Sequence, residues 1–137
     1  MERTDEVGAA AAAEYFMRLY RYVLQTGDLS DWEAVSAQGC GFCDRVGEDV
    51  TRVYGAGGRY VGGELELGPA EALNQDPVTG GYAVGVPYSA NVSAELNAFG
   101  EVVREFPALD EYGIVDEIFS SGGWTLVGFS VRARAPS

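Results

Sequence analysis

The sequence predicts an α+β domain in which a block of three N-terminal helices packs in a strongly curved antiparallel sheet of four to five strands. Two observations predict this fold class. Apolar residues recur every three or four positions as far as Tyr54, and beyond Gly58 they alternate with polar or small residues. Because helices that come first as a block must pack on one face of the later sheet, we expect a cone-shaped domain that cups the first helix.

The first helix is predicted over residues 9–25. Glu14 and Arg18 lie one turn apart on its polar face and support it, and Thr26 and Gly27 end it. Its apolar face comprises Ala12, Tyr15, Phe16, Leu19, Tyr20, Tyr22 and Val23.

Two further helices are predicted before the sheet. Ser30 and Glu33 have the spacing of a capping box, which places a short second helix over residues 31–37. A third helix follows Gly39 and ends at the glycine-rich residues 55–58. Its apolar face comprises Cys43, Val46, Val50, Val53 and Tyr54.

The longest predicted strand covers residues 82–96, where the even positions are apolar and the odd positions are mostly small or polar. Its length suggests a sheet that bends, and Pro87 places a bulge or an edge within it. The other predicted strands are residues 65–67, 102–106, 112–119 and 124–132, of which the last two form a hairpin through residues 120–123.

The chain has 137 residues, the size of one domain, which we assign to residues 9–132 between disordered tails at residues 1–8 and 133–137. It carries nine arginines and no lysine against 21 Asp and Glu, a net charge of −12. The arginines are scattered, whereas binding to a phosphate backbone needs clustered cations. An anionic bilayer would repel such a chain. We therefore expect no nucleic-acid partner and no membrane contact by the domain itself.

The chain has no histidine, which excludes the usual catalytic triads, and with two cysteines a zinc site is excluded as well. No metal or cofactor is predicted. The chemistry left for catalysis is a buried carboxylate beside tyrosines, although no residue can be assigned a catalytic role. The acidic pairs at residues 110–111 and 116–117 lack calcium-loop spacing and are expected at solvated strand ends. The candidate lining residues of a pocket in the cone are Tyr15, Leu19, Tyr22, Trp32, Tyr54 and Tyr88.

Cys40 and Cys43 stand three residues apart at the predicted start of the third helix. Two thiols at this spacing form either a short-loop disulfide or a thiolate that the helix dipole stabilises. A redox motif of this kind follows a strand, whereas a capping box and a helix precede this one. The residues favour a structural disulfide that pins the second helix to the third. Redox activity and two free buried thiols remain as alternatives.

The order of these elements resembles the nuclear-transport-factor-2-like fold, whose cone consists of a helical block in an antiparallel sheet. More narrowly, the chain resembles an actinobacterial family of unknown function, many of whose members are lipoproteins. The resemblance spans almost the whole chain. The residues that carry it are Tyr15, Phe16, Leu19 and Tyr20, residues 26–28, residues 40–43, residues 54–58 and the Gly123 and Trp124 pair.

The resemblance implies that a signal peptide and a lipidated cysteine precede Met1 in the native protein. The domain would then lie outside the cytoplasmic membrane, anchored to the cell envelope, where an oxidising setting favours the disulfide. Enzymes with this fold, such as ketosteroid isomerase, use an acid and a tyrosine inside the cone. Their catalytic residues cannot be placed on this sequence.

Three functional hypotheses follow. The first is a non-catalytic binding or protein-interaction module that accepts a small apolar ligand or another protein. The second is a small lyase or isomerase that uses a buried carboxylate and tyrosines, and the third is a thiol-disulfide redox protein. A homodimer through the sheet is a further hypothesis, because Trp124 and Leu126 on one face and Val127 and Phe129 on the other leave two apolar faces to cover.

Overall fold

A computed structural model describes residues 5–120 and 123–132. In these residues three helices precede eight strands, and the predicted fold class is confirmed. The helices are α1 (Glu6–Thr26), α2 (Ser30–Val35) and α3 (Gly41–Gly55). The strands are β1 (Arg59–Gly62), β2 (Leu65–Leu67), β3 (Glu71–Gln75), β4 (Tyr82–Ala90), β5 (Ser93–Leu96), β6 (Val102–Phe106), β7 (Leu109–Ser120) and β8 (Gly123–Arg132).

Helix α1 begins three residues earlier than the sequence pattern predicts. Asp5 caps it, because its Oδ1 accepts a hydrogen bond of 3.1 Å from the amide of Gly8. Residues 6–8, which the sequence analysis assigned to a disordered tail, are therefore helical. Residues 1–4 of that tail and the tail at residues 133–137 lie outside the described residues. The helix ends at Gly27, whose φ of 75° suits glycine and whose amide donates to the carbonyl of Val23.

Helix α2 is shorter than predicted, and its capping box does not form. The hydroxyl and the amide of Ser30 both donate to Oδ1 of Asp28, at 2.6 and 3.1 Å, so Asp28 satisfies the start of the helix. After Val35 the chain leaves the helix, because the amide of Ala37 donates to the carbonyl of Leu126 in β8. This pairing ties the second helix to the sheet.

The strands form two antiparallel sheets that continue one another around a bend. A three-stranded sheet has the order β1-β5-β6, and a five-stranded sheet has the order β2-β4-β7-β8 with β3 also paired to β4. The strand predicted over residues 82–96 is divided at residues 91–92. Neighbouring strands break at the same level, at residues 63–64 and 107–108. The sheet is therefore curved as predicted, and its bends raise the number of strands above the expected four to five.

Backbone pairing persists through this bend. The amide of Gly63 donates to the carbonyl of Val92 at 2.9 Å, and the amide of Asn91 donates to the carbonyl of Glu64 at 3.0 Å. Gly62 and Gly63 have φ values of 76° and 73°, a conformation that glycine adopts without strain. The bend therefore keeps its backbone hydrogen bonds and forms without backbone strain.

Pro87 lies within β4 at the gap between two shorter neighbours. Strand β2 pairs with β4 as far as Tyr88, and β3 begins its pairing at Gly85. The missing amide of Pro87 therefore leaves no ladder bond unmade, and its carbonyl accepts from the amide of Gly68 at 2.7 Å.

The core lies between α1 and the concave face of the five-stranded sheet. Small residues on the first half of α1 let the helix approach the sheet closely, and all of them are buried: Gly8, Ala9, Ala12 and Ala13. Trp32 of α2 closes the core, and its indole Nε1 donates to the carbonyl of Cys43 at 3.1 Å. The second half of α1 borders an open space, and that space is the candidate site.

Candidate functional site

A cavity of about 530 Å³ opens between the second half of α1, helix α3 and the bend of the sheet. Its volume falls in the range of about 300–1,000 Å³ that is usual for small-molecule sites. Six aromatic side chains line it: Tyr20, Phe42, Tyr60, Tyr88, Phe106 and Phe129.

Most of these aromatic rings form one connected surface. The ring centroids of Tyr20 and Phe42 lie 5.5 Å apart, those of Phe42 and Phe129 lie 4.9 Å apart, and those of Phe129 and Tyr88 lie 6.3 Å apart. Tyr60 and Phe106 form a second pair at 6.5 Å. Tilted rings at such distances attract one another beyond the burial of their surface, so these contacts stabilise the aromatic wall.

A tyrosine and a carboxylate meet within this cavity. Tyr88 of β4 and Glu111 of β7 are direct partners in the strand register, and the Tyr88 hydroxyl donates to Oε2 of Glu111 at 2.9 Å. Burial, followed by the neighbouring carboxylate, raises the pKa of Tyr88. The phenol therefore stays protonated at neutral pH and holds Glu111 in a fixed position.

The pKa values of two other cavity tyrosines are also raised. Burial raises the pKa of Tyr20, and the carboxylate of Asp49 raises it further. The pKa of Tyr60 is raised by burial and then by Asp49 and Glu95. These hydroxyls stay neutral at neutral pH and can each donate or accept a hydrogen bond in the cavity.

Three arginines stand around the cavity on three different elements: Arg21 on α1, Arg45 on α3 and Arg104 on β6. Burial lowers the pKa of Arg21, and Glu64 partly offsets that effect. The guanidinium carbon of Arg104 lies 5.8 Å from the ring centroid of Phe106, over its face. The cavity thus combines an aromatic wall with cations.

Of the six lining residues predicted from the sequence, the structure places Tyr88 at this cavity. Tyr15 and Tyr22 are each 42% exposed on the outer side of α1, where the Tyr22 hydroxyl donates to Asp28. Their neighbours Phe16 and Val23 occupy the interior positions instead.

The other three predicted lining residues belong to the core around the cavity. Leu19 is buried, and Trp32 packs behind the wall, with its ring centroid 6.0 Å from that of Phe42. The hydroxyl of Tyr54 donates to the carbonyl of Leu24 at 2.5 Å. Its ring fills the space beside Gly27, where a Cβ would lie 2.6 Å from the ring.

Phe129 lines the cavity because of a β-bulge that the sequence pattern did not reveal. The register of β7 and β8 shifts so that Asp116 faces Gly128 and Glu117 faces Leu126, which leaves Val127 as the extra residue. Beyond the bulge the alternation is reversed, and Phe129 shares the inner face with Leu126. The prediction that Phe129 lies on the opposite face was therefore wrong, and the outer face is less apolar than the dimer hypothesis assumed.

Cys40 and Cys43 form a disulfide with a Cα–Cα distance of 5.2 Å. Cys40 is the N-cap of α3, and its Sγ accepts from the amide of Cys43 at 3.1 Å. The bond therefore closes the start of α3 and does not bridge α2 and α3 as predicted. The two cysteines are 1% and 3% exposed, and thiol exchange needs access to a sulfur, which counts against the redox hypothesis.

Glu117 lies away from the cavity and differs most from its predicted environment. It is 2% exposed, and neither of its carboxyl oxygens has a hydrogen-bond partner among the described residues. It stands between Tyr82 and Leu126 in the strand register, on the inner face of the sheet. Burial raises its pKa to about 9, so it is protonated at neutral pH. The prediction of a solvated strand end was wrong here, because the position of a residue along a strand does not reveal how deeply the fold buries it.

In the described ranges, 5–120 and 123–132, no helix is long and apolar enough to cross a membrane. The same ranges hold no group of three or more Cys, Asp or Glu side chains arranged to bind a metal ion.

The fold and the site define a class of small α+β domain with an aromatic cavity between its helices and a curved sheet. The chain belongs to the family of unknown function DUF6318, whose family model matches residues 1–130. No curated protein matches it. The crystal structure of the intermembrane space region of the chloroplast protein ARC6 is similar, with a TM-score of 0.69, over 96% of this chain and 99% of that one. At 11% identity, the likeness is one of fold.

Proposed function

We propose that the domain is a non-catalytic, extracytoplasmic binding module that holds a small, mostly apolar molecule in its cavity. The observation that carries this proposal is the open, aromatic-lined space of about 530 Å³. A cone filled by its own side chains would have favoured a protein-interaction role. An open cavity instead leaves aromatic surface that a ligand of this size would cover.

The extracytoplasmic location is supported by the disulfide, because such bonds form and persist in oxidising compartments. It also agrees with the lipoprotein character of the family that the sequence resembles. In this proposal, a lipid anchor ahead of the domain holds it at the cell envelope, and the arrangement is that of a nuclear-transport-factor-2-like cone.

The proposal is tested with the uncharged fluorescent probe N-phenyl-1-naphthylamine and a cavity-filling variant. Ala90 lines the cavity and pairs with Leu65 and Leu109, so Ala90→Trp places an indole inside it. The matched control is Ser89→Trp, one residue earlier and therefore on the opposite face of the same strand. We expect a saturable rise in fluorescence with the native chain and with Ser89→Trp, and loss of that rise with Ala90→Trp.

Circular dichroism and thermal unfolding establish that each variant is folded. If Ala90→Trp does not fold, Leu109→Trp at the more exposed edge of the cavity takes its place. Probe binding that is absent from the native chain, or that survives in the filled variant, would contradict the proposal.

A lyase or isomerase is the second candidate, and the contact between Tyr88 and Glu111 is the observation that favours it. In such a reaction the Glu111 carboxylate would take a proton from the carbon beside a carbonyl. Once Glu111 is protonated, the Tyr88 hydroxyl would no longer donate to a carboxylate and would instead donate to the enolate oxygen.

Exchange of the α-hydrogens of cyclohexanone in heavy water, followed by NMR, tests this second candidate. An enzyme of this kind would give exchange above the buffer rate that falls in Glu111→Gln and in Tyr88→Phe but persists in Glu105→Gln, an exposed control on β6. Exchange at the buffer rate with the native chain would rule the reaction out for this type of substrate.

A further inference from the structure

The cavity has an electrostatic character opposite to that of the whole chain. The protein has nine arginines against 21 acidic residues, yet three of the arginines line this one space beside two carboxylates, Asp49 and Glu111. The charged groups of the lining therefore sum to +1 (3 − 2), whereas the whole chain carries −12.

The two carboxylates of the cavity have partners, whereas the three arginines have no carboxylate among the described residues close enough for an ion pair. Glu111 accepts a hydrogen bond from Tyr88, and Asp49 lies 3.8 Å from the guanidinium of Arg52, which is outside the cavity lining. In the described part of the chain, none of Arg21, Arg45 and Arg104 has a carboxylate within the 4.0 Å of an ion pair. Glu64 acts on Arg21 electrostatically but lies beyond that distance.

Two of the arginines lie beside other residues of the cavity lining. The guanidinium of Arg21 lies beside the glycine bend of the sheet, where a Cβ added to Gly63 would be 3.6 Å from its Nη1, an ordinary contact distance. Arg104 lies over the face of Phe106, and this attractive cation–π arrangement does not itself occupy its N–H donors.

Building on the function proposed above, we propose that the ligand is an amphiphile with one anionic head group. Its apolar chain would pack on Tyr20, Phe42 and Phe129, and its head would accept hydrogen bonds from Arg21, Arg45 and Arg104. Guanidinium groups match carboxylate and phosphate oxygens in geometry, so the head is one of these two.

The test compares four probes that share a dodecyl chain and differ in the head: dodecanoate, dodecyl phosphate, dodecanol and dodecyltrimethylammonium. Each probe displaces N-phenyl-1-naphthylamine from the full 137-residue chain, below its micelle concentration. We expect at least one anion to bind about tenfold or more tightly than dodecanol, because charge-assisted hydrogen bonds replace water at the head. The better of the two anions identifies the head as carboxylate or phosphate.

Arginine variants locate the contact. Arg21→Met, Arg45→Met and Arg104→Met keep much of the apolar side chain and remove the charge, and each is expected to weaken the preferred anion several-fold, by roughly threefold to tenfold, with little change for dodecanol. Arg18→Met on α1 and Arg59→Met on β1 are matched controls, because neither residue lines the cavity. They are expected to leave the binding of all four probes unchanged.

Each outcome has a separate meaning. If dodecanol binds as tightly as both anions, or if the ammonium probe binds best, the head-group inference is overturned while the ligand-binding function stands. If the three cavity variants and the two controls weaken the anion equally, the contact is general electrostatics and the inference is again overturned. If the native chain binds the dye but no dodecyl probe displaces it, the head-group inference alone is overturned. If the native chain does not bind the dye, the proposed function fails together with the inference.

Discussion

Replacing Glu117 with glutamine is expected to stabilise the protein increasingly as the pH rises from 5 to 9. The carboxyl is buried on the inner face of β7 with no hydrogen-bond partner among the described residues, and burial raises its pKa from 4.5 to about 9. In the unfolded chain the same group returns to its ordinary pKa. Between these two values the folded protein holds a proton that the unfolded chain has released.

The magnitude follows from that difference in bound protons. Stability falls by about 1.4 kcal/mol for each pH unit over which the folded state alone holds the proton. From pH 4.5 to pH 7 the loss amounts to about 3 kcal/mol, and it continues until the folded pKa is reached. Glutamine has nearly the same shape as the protonated acid and does not ionise, so the variant lacks this loss.

The assay is urea unfolding followed by tryptophan fluorescence at several pH values between 5 and 9. The free energy of unfolding of Glu117→Gln minus that of the native chain is expected to grow by about 1.4 kcal/mol per pH unit. Any difference in packing or in amide hydrogen bonding contributes a constant offset and leaves the slope unchanged. Glu66→Gln, at an exposed position on β2, is the control and is expected to give no slope. Parallel stability profiles for Glu117→Gln and the native chain would refute the reasoning.

Two further predictions concern the helices. Replacing Cys40 and Cys43 together by alanine is expected to cost about 2 kcal/mol, since the disulfide closes a very short loop; the measurement is urea unfolding with and without the bond. Because both sulfurs are buried, mild dithiothreitol is expected to leave the folded bond intact, and fast reduction seen by mass spectrometry would contradict this. Gly27→Ala is expected to cost about 3 kcal/mol, from its positive φ together with the clash against the Tyr54 ring. Gly39→Ala is the control, because Gly39 has a similar φ but open space around it, and it is expected to cost about 1 kcal/mol for the backbone strain alone. Equal costs at the two glycines would show that the Tyr54 ring moves aside and adds no penalty.

The helical block and the final hairpin could be predicted from the sequence because their signals are local. The apolar face of α3, with Val46, Val50 and Val53 at helical spacing, is buried in the structure. The glycine-rich residues after α3 also end the helix as expected. By contrast, β1 and β3 are short, mostly exposed strands whose existence depends on pairing with distant partners, so their own residues carry little signal.

The cavity could be predicted as a tyrosine-lined space but not residue by residue. Tyr15 and Phe16 are adjacent aromatic residues on one helix, and only the position of the sheet decides that Phe16 is buried while Tyr15 is exposed. Glu117 shows the same dependence on tertiary structure, since an acidic residue inside a strand gives no sign in the sequence that the fold will bury it. The capping role of Asp28 was missed because Ser30 and Glu33 matched a familiar pattern two residues later.

The bulge at Val127 ties the chemistry of the cavity to the number of residues in β8. Deleting Val127 would restore strict alternation and leave Phe129 on the inner face with Leu126. Inserting a glycine between Gly128 and Phe129 would instead turn Phe129 to the outer face, which would remove the central ring of the aromatic wall without replacing any cavity side chain. The remaining cavity would be wider and more polar, while the surface would gain an exposed aromatic residue. In this fold, the insertion of a single residue into β8 therefore changes the lining of the cavity more than a point substitution does.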